Sequence, residues 1–257
     1  MDLQLSGKTA VVTGASKGIG LACVEALAWE GVTVIGISRD SGNLAKAQDE
    51  LAAKGLSFQV EAVDLTDPDA TTAAFERIGV PDILINCAGA ARRTPVEELD
   101  SKALHAAMEA KYFTYMNATG AVIRGMAERG SGAVVNVVGQ GGRAANPIHI
   151  GGGAANAALM LASVGYAKAY AGRGVRVNVI NPGTTATTRV DEGLNAEARA
   201  TGRPKDELRE EMVAEIPMGR IGEPTEVANV AVFLASPAAS YVTASIITMD
   251  GGATAAI

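Results

Sequence analysis

Aromatic side chains are scarce in this chain: Phe, Trp and Tyr together make up 4% of it, with a single Trp. A core poor in large rings must be filled by small side chains, which lets helices and strands approach closely. There are two cysteines, Cys23 and Cys87, far apart in sequence and in apolar contexts. That excludes a disulfide framework, and both read as core thiols. No Cys/His cluster has the spacing of a ligand set, so no metal is expected. Positive charge is in deficit, with 22 Lys and Arg against 28 Asp and Glu and a net charge of −6. No basic patch stands out, so nucleic acid is not an expected partner. The acidic balance serves solubility. The opening MDLQLSGKTA lacks the charged head and apolar run of a signal peptide. No uninterrupted apolar run is long enough to span a bilayer. A soluble, cytoplasmic protein with no membrane partner is the expectation.

What is present is alternation. Apolar residues make up 48% of 257 residues, with many Ala, Val and Gly. Short β-branched runs occur at 9–13, 32–38, 57–63, 82–86, 132–138, 175–180 and 245–249. Amphipathic, Ala-rich stretches separate them, near 18–30, 41–54, 67–77, 101–129, 151–173 and 224–235. Strand, helix, strand, repeated, calls for right-handed crossovers and a parallel sheet. The expected fold class is α/β, a doubly wound Rossmann-type sheet of about seven strands with helices on both faces. One domain spans 1–257. The segment 188–217 departs from the pattern by its charge density. It reads either as a solvated helical insertion or as a mobile lid over a substrate cleft, because loops at this end of such a sheet meet the ligand.

The sharpest motif is TGASKGIG at 13–20, which follows the first strand and opens the first helix. Gly14 permits a tight turn. Gly18 and Gly20 let the backbone approach a pyrophosphate and the helix pack on its strand. The helix N-terminus supplies free N–H groups. An NAD site wants a carboxylate at the end of strand two, for the ribose hydroxyls. Here the sequence is GISRD: Ser38 holds that position, Arg39 follows, and Lys17 lies in the glycine loop. Two cations and a hydroxyl suit a 2′-phosphate. The residues favour NADP over NAD, with Asp40 as the counter-argument.

These motifs resemble those of the short-chain dehydrogenase/reductase family, nearly end to end. TGASKGIG is similar to the family's TGxxxGxG. Asp64 and Leu65 in VDLTD resemble its adenine contact. NCAG at 86–89 resembles its NNAG, with Cys87 in place of the second Asn. NPGTTATT at 181–188 resembles its PG loop, and GRIGEPTEVANVAVFLAS with MDGG its C-terminal segment. The resemblance implies a cofactor set of Gly14, Ser16, Lys17, Gly18, Ile19, Gly20, Ser38, Arg39, Asp64, Leu65, Asn86, Ala88 and Gly89. It adds nicotinamide contacts from Pro182, Gly183, Thr185 and Thr187. It also implies a small-molecule substrate and a homodimer or homotetramer, with the helix near 101–129 and the C-terminal strand at the contacts.

Members of the family usually reduce a carbonyl with a Tyr, a Lys four residues later, a Ser and an Asn. Tyr-x-x-x-Lys occurs nowhere in this sequence. Ungapped counting puts Gly152 at the tyrosine position, Asn156 at the lysine, Gly139 at the serine and Lys111 at the asparagine. Asn and Lys thus look exchanged, a divergent site with Lys111 and Asn156 sharing one cleft. A desolvated lysine can titrate near neutrality and act as an acid, or stabilise an oxyanion. Against this, Lys111 can point to solvent or pair with a carboxylate. His149 is a second candidate acid. Weaker candidates are Gln140, Arg143, Tyr115 and Tyr112. Three functions stay open: an NADP-dependent oxidoreductase with a rearranged acid/base site, a non-catalytic NADP-binding sensor or partner subunit, and a non-redox enzyme on the same fold.

Overall fold

The computed structural model describes residues 2–89 and 91–254. Seven strands and their crossovers run β1 (Thr9–Thr13), α1 (Gly18–Trp29), β2 (Thr33–Ser38), α2 (Ser41–Ala52), β3 (Gln59–Ala62), α3 (Pro68–Ile78), β4 (Ile83–Asn86), α4 (Ser101–Met108), α5 (Thr114–Arg129), β5 (Gly132–Val137), α6 (Ile150–Tyr170), β6 (Val175–Pro182), α7 (Thr188–Thr201), α8 (Lys205–Ala214), α9 (Pro224–Ala235) and β7 (Ile246–Met249). All strands pair parallel in the order β3-β2-β1-β4-β5-β6-β7. Residues such as Val11, Val12, Leu84, Ile85, Val134 and Val135 are fully buried, as a sheet covered on both faces requires. On one face, α1, α2 and α9 bury Cys23, Leu27, Leu44, Leu51 and Val232 against it. On the other, α3, α5 and α6 bury Phe75, Val122, Ile123, Met126 and Ala167.

The strand order reverses between β1 and β4, where Thr13 lies opposite Asn86. Ligands of such sheets bind outside the carboxyl ends of the strands at this switch point. The glycine loop after β1 and the NCAG loop after β4 therefore meet there.

Two expectations about elements need correction, and a third, the helical reading of 188–217, gains detail. The stretch 101–129 is not one uniform helix: a π-helical turn, Glu109–Phe113, joins α4 to α5. The segment 188–217 is a pair of helices, α7 and α8, tied by a Lys205–Asp191 ion pair of 2.8 Å. Finally, with its flanking 3₁₀ turns, Pro147–Arg173 is a 27-residue helix of mean hydropathy 1.3, long and apolar enough to cross a membrane by length and composition. Counting only uninterrupted apolar runs misses it, because its Ser, Tyr, Asn and Gly residues break the run. Its buried face, with Ala155, Leu159, Met160 and Ser163, packs on β6 and the Gln140–Gly142 turn.

Candidate active site

A cleft of about 290 Å³ opens at the switch point. Its floor is the glycine loop. Gly14 has φ +70°, and a Cβ there would stand 2.9 Å from the Ala88 amide nitrogen. A Cβ on Gly20 would stand 2.1 Å from the Gly14 carbonyl oxygen. Only glycines allow this approach. The N-cap of α1 is Lys17, whose side chain makes no capping hydrogen bond, so the first amides of the helix stay available to an anion. Thr13 stitches the two loops together: its Oγ1 accepts from the Cys87 and Ala88 amides, both at 3.1 Å.

Of the residues expected from sequence, Gly14, Ser16, Lys17, Gly18, Ile19, Gly20, Ser38, Arg39, Asp64, Leu65, Ala88, Gly89 and Thr187 line this cleft. At its far end the Ser16 and Ser38 hydroxyls are 3.2 Å apart, and Arg39 is 75% exposed, 4.0 Å from Asp64. Asp40 does not line the cleft. Its carboxylate accepts from the Asn43 amide at 2.8 Å and caps α2. The one acid that argued for NAD is thereby committed to a helix end.

Four expected contacts lie elsewhere. Asn86 is wholly buried, its Nδ2 donating to Asn136 Oδ1 at 2.9 Å and Thr119 Oγ1 at 3.1 Å, so it braces β4 against β5. Pro182 and Gly183, at the end of β6, line no part of the cleft. Thr185 faces a second cavity of about 310 Å³ with Arg220 and Asp250. Cys87 is corrected in the other direction: it lines the cleft, while Cys23 is a buried core thiol whose pKa is raised by hydrogen bonding to Cys87 and by burial. Sequence reasoning missed Ala110, Thr114 and Arg189 in the lining. Arg189, whose Nη2 donates to the Gly89 carbonyl at 3.3 Å, lies two residues after Thr187 and was legible only as an extension of that loop.

Lys111 sits in the π-helical turn. The turn is supported by its own sequence, since Thr114 Oγ1 donates to the Glu109 carbonyl at 3.1 Å, five residues back. Such turns often accompany functional sites. Gly89, with φ +99°, packs against it; a Cβ there would lie 2.2 Å from the Ala110 carbonyl oxygen. Lys111 is 8% exposed. Its Nζ donates to Tyr115 Oη at 3.1 Å and to the Val137 carbonyl at 3.5 Å, and lies 4.7 Å from the centre of the Tyr115 ring. Tyr115 is fully buried and donates its own proton to the same carbonyl. Among the described residues, no carboxylate pairs with Lys111. Burial, with the positive charge of Arg189 nearby, lowers its pKa to about 7. Burial holds the Tyr115 hydroxyl well above its ordinary value.

His149 occupies the space beside Gly152. A Cβ on Gly152 would fall 2.1 Å from His149 Cε1 and 2.4 Å from Nε2. The imidazole thus stands where a larger residue at 152 would begin its side chain. A Cβ on Gly141 would lie 3.1 Å from His149 Cδ2 and 3.6 Å from Asn156 Nδ2, so these two side chains converge. His149 Nδ1 and Asn156 Oδ1 are both buried without a hydrogen-bond partner among the described residues. Burial first, then the charges of Arg93 and Lys111, depress the His149 pKa. Asn156 is not directly bonded to Lys111; the two stand on adjoining elements, α6 and the π-helical turn.

A family model described as enoyl-(acyl carrier protein) reductase matches residues 14–254. Galactitol 2-dehydrogenase (L-tagatose-forming) of Cereibacter sphaeroides is 39% identical over 256 residues, 98% of this chain and 96% of that one. The chain belongs to the short-chain dehydrogenase/reductase family. A 3-oxoacyl-acyl carrier protein reductase of Vibrio cholerae is 33% identical over 97% of this chain and 98% of its own. The structure of L-sorbose reductase from Gluconobacter frateurii, complexed with NADPH and L-sorbose, matches with a TM-score of 0.93, 30% identity and full coverage of both chains.

As a short-chain dehydrogenase/reductase, this chain is polar around the cleft in unexpected places. Gln140 is turned to the C-terminal segment, its Nε2 donating to Asp250 Oδ2 at 3.3 Å and to Thr254. Arg143 is exposed and donates to Thr248 Oγ1 at 3.2 Å. Tyr112 packs edge-on against Phe113. None of these three joins Lys111, whereas Tyr115 does.

Proposed function

We propose that the protein is an NADP(H)-dependent oxidoreductase that interconverts a carbonyl and an alcohol on a small polar substrate, with Lys111 as its acid and base. The observation that carries this is the buried ammonium of Lys111, without a carboxylate partner among the described residues, held next to the nucleotide cleft by Tyr115 and the Val137 carbonyl. The cradle of Gly14 and Gly20, the open α1 terminus and the Ser16, Lys17, Ser38 and Arg39 set fit a phosphorylated dinucleotide. The L-sorbose reductase complex with NADPH supports that choice. Bound there, the nicotinamide supplies the hydride in reduction and accepts it in oxidation.

The chain's own part is the proton. In reduction, Lys111 gives one N–H proton to the carbonyl oxygen as the oxygen gains charge, and solvent then restores it. In oxidation, the neutral amine takes the hydroxyl proton. A group titrating near neutrality has both forms on hand. Tyr115 is a positioning residue that fixes the ammonium. Asn156 Oδ1 and His149 Nδ1 remain to hydrogen-bond substrate hydroxyls, in keeping with the polyol and sugar named for two of the relatives. The α7–α8 pair, entered through Thr187 and Arg189, serves as the substrate lid. The exposed stripe of α6 supports a homodimer or homotetramer.

The test is NADPH consumption against a carbonyl panel by wild type and Lys111→Met, after NADPH and NADH binding have been measured for both. We expect binding of NADPH in preference to NADH by both proteins, and turnover reduced at least a hundredfold in the variant. Undiminished turnover in Lys111→Met would remove Lys111 from the chemistry. Tight binding by wild type with no turnover on any carbonyl would instead favour the nucleotide-binding sensor, a reading that the absence of Tyr-x-x-x-Lys also supports.

A further inference from the structure

A phosphorylated dinucleotide brings several negative charges to a protein whose own net charge is −6, so its binding depends on the cations at the cleft. Four charged side chains line that cleft: Lys17, Arg39, Asp64 and Arg189. Asp64 faces Arg39 at 4.0 Å, at the end that holds the Ser16 and Ser38 hydroxyls. Among the described residues, neither Lys17 nor Arg189 pairs with a carboxylate. Arg189 stands on the first turn of α7, where a cation opposes the positive end of the helix dipole. The α7 N-cap, Thr187, gives the opening amides no side-chain partner, so positive charge gathers at that end. Helix electrostatics therefore do not account for an arginine here, but its reach across the cleft does. Thr187 packs over the glycine loop, where a Cβ on Gly18 would lie 3.2 Å from its Cγ2. Two residues on, Arg189 Nη2 donates to the Gly89 carbonyl, 3.3 Å away in the loop after β4. The guanidinium thus crosses from the lid to the NCAG loop, within the same cavity as the opening turn of α1. A guanidinium carries five N–H donors, and this one spends a single hydrogen bond on the protein among the described residues.

We propose that Arg189 binds the diphosphate of the dinucleotide and so ties the α7–α8 lid to the cofactor; the inference rests on the NADP(H) and lid assignments above. Strands β2, β1 and β4 lie side by side, so the cleft runs from Arg39 past the glycine loop to Gly89. A dinucleotide whose 2′-phosphate is held by Ser38 and Arg39 carries its diphosphate over the glycine loop, at the N-terminus of α1. There the helix supplies amides, and Arg189 supplies a full positive charge from the other wall. Its planar fork matches two phosphate oxygens, which hold it more strongly than one neutral carbonyl does. The anchor extends through the lid, because Asp191 of α7 pairs with Lys205 and Arg209 of α8 at 2.8 and 3.8 Å.

Three ligands separate the diphosphate from the rest of the cofactor. NADPH carries every group, 2′-phospho-ADP-ribose lacks the nicotinamide, and adenosine 2′-monophosphate lacks the diphosphate as well. Their affinities are measured by calorimetry at fixed ionic strength for wild type, Arg189→Gln and Arg189→Lys. Amide hydrogen exchange across 188–217 is then followed with each protein saturated, so that lid protection is read apart from affinity. Arg189→Gln should weaken NADPH and 2′-phospho-ADP-ribose alike, by about ten- to a hundredfold for the loss of one charge-assisted contact. It should leave adenosine 2′-monophosphate within about twofold, which also shows that the variant is folded, and Arg189→Lys should fall between. Saturating NADPH should slow exchange across α7 and α8 in wild type and much less in Arg189→Gln. Unchanged NADPH affinity in Arg189→Gln would overturn the proposal and leave Arg189 a structural tie to Gly89. Equal weakening of all three ligands would overturn it in favour of a diffuse field. Weakening of NADPH alone would move the contact to the nicotinamide half. Equal lid protection in both proteins at saturation would break the link between lid and diphosphate. Failure of wild type to bind any of the three would instead sink the NADP(H) assignment itself. None of these readouts uses turnover, so they stand apart from the chemistry given to Lys111.

Discussion

Lys111 is the residue on which the proposed chemistry and the stability of this protein pull in opposite directions. Burying its ammonium disfavours the charged form, and only Tyr115 and the Val137 carbonyl compensate. Its pKa falls from 10.5 to about 7 on folding. The sign of the linkage follows from proton counts. Below pH 7 both folded and unfolded chains hold the proton, and the folded state bears the full cost. Between about 7 and 10.5 the folded chain has shed it and the unfolded chain has not, so unfolding takes up a proton. Stability therefore rises with pH across that window. Replacing the lysine by methionine removes the cost, so Lys111→Met should be more stable than wild type at pH 6, by a few kcal/mol at most. That advantage should shrink steadily toward pH 9 in urea denaturation. A difference independent of pH would mean that the ammonium is not desolvated. The same midpoint near 7 should appear in catalysis, with reduction falling and oxidation rising as pH increases through it.

Single glycines act at the scale of the element. In the first turns of α6, Gly151, Gly152 and Gly153 cost helix propensity, each by about 1 kcal/mol relative to alanine. Their contacts explain why larger residues are kept out. Gly151 faces Ala107 of α4, Gly153 faces the Gly141 carbonyl, and Gly152 yields its side-chain space to His149. Gly152→Ala should gain helix propensity and lose it again to the clash with the imidazole, leaving stability within about 1 kcal/mol of wild type. Activity should nevertheless drop at least tenfold, with the His149 NMR signal displaced and that of His105 unchanged. An unmoved His149 signal would show that the ring has another place to go. Strands and most helices were legible in the sequence because buried parallel strands are β-branched runs and their crossovers are periodic. TGASKGIG was legible because its glycines meet steric demands that are themselves local. The π-helical turn was not, since it depends on the Thr114–Glu109 bond and on Gly89 approaching from another loop. The Lys111–Tyr115 pair showed only as a shared helix face. The approach of the Thr94 loop to the turn before α6 had no sequence signal, because one backbone hydrogen bond between distant segments, Thr94 to Ile148, makes it.

For the whole molecule, α6 presents a packing problem that one chain does not solve. Residues Ile150, Ala154, Ala157, Leu161, Gly165 and Lys168 recur at helical spacing on its outer side and are all exposed. Leu161, near the middle, is 76% exposed. A helix apolar on nearly every side is normally buried on every side. The opposite face already packs on β6. Small residues flanking one leucine suit close contact with another helix, and a symmetric assembly of identical chains supplies that helix by a self-complementary patch. In a dimer or tetramer the stripe of one chain would rest on that of the next, behind Asn156, which projects from the buried face of the same helix. Leu161→Arg places a charge at the centre of this patch. It should leave the fold intact, because the position is solvent-exposed in the single chain. It should also reduce the mass measured by light scattering by half or more, and lower the thermal midpoint as the lost association no longer supports the native state. An unchanged mass would assign the assembly, if there is one, to another face, and would leave the exposed stripe of α6 in need of a different partner.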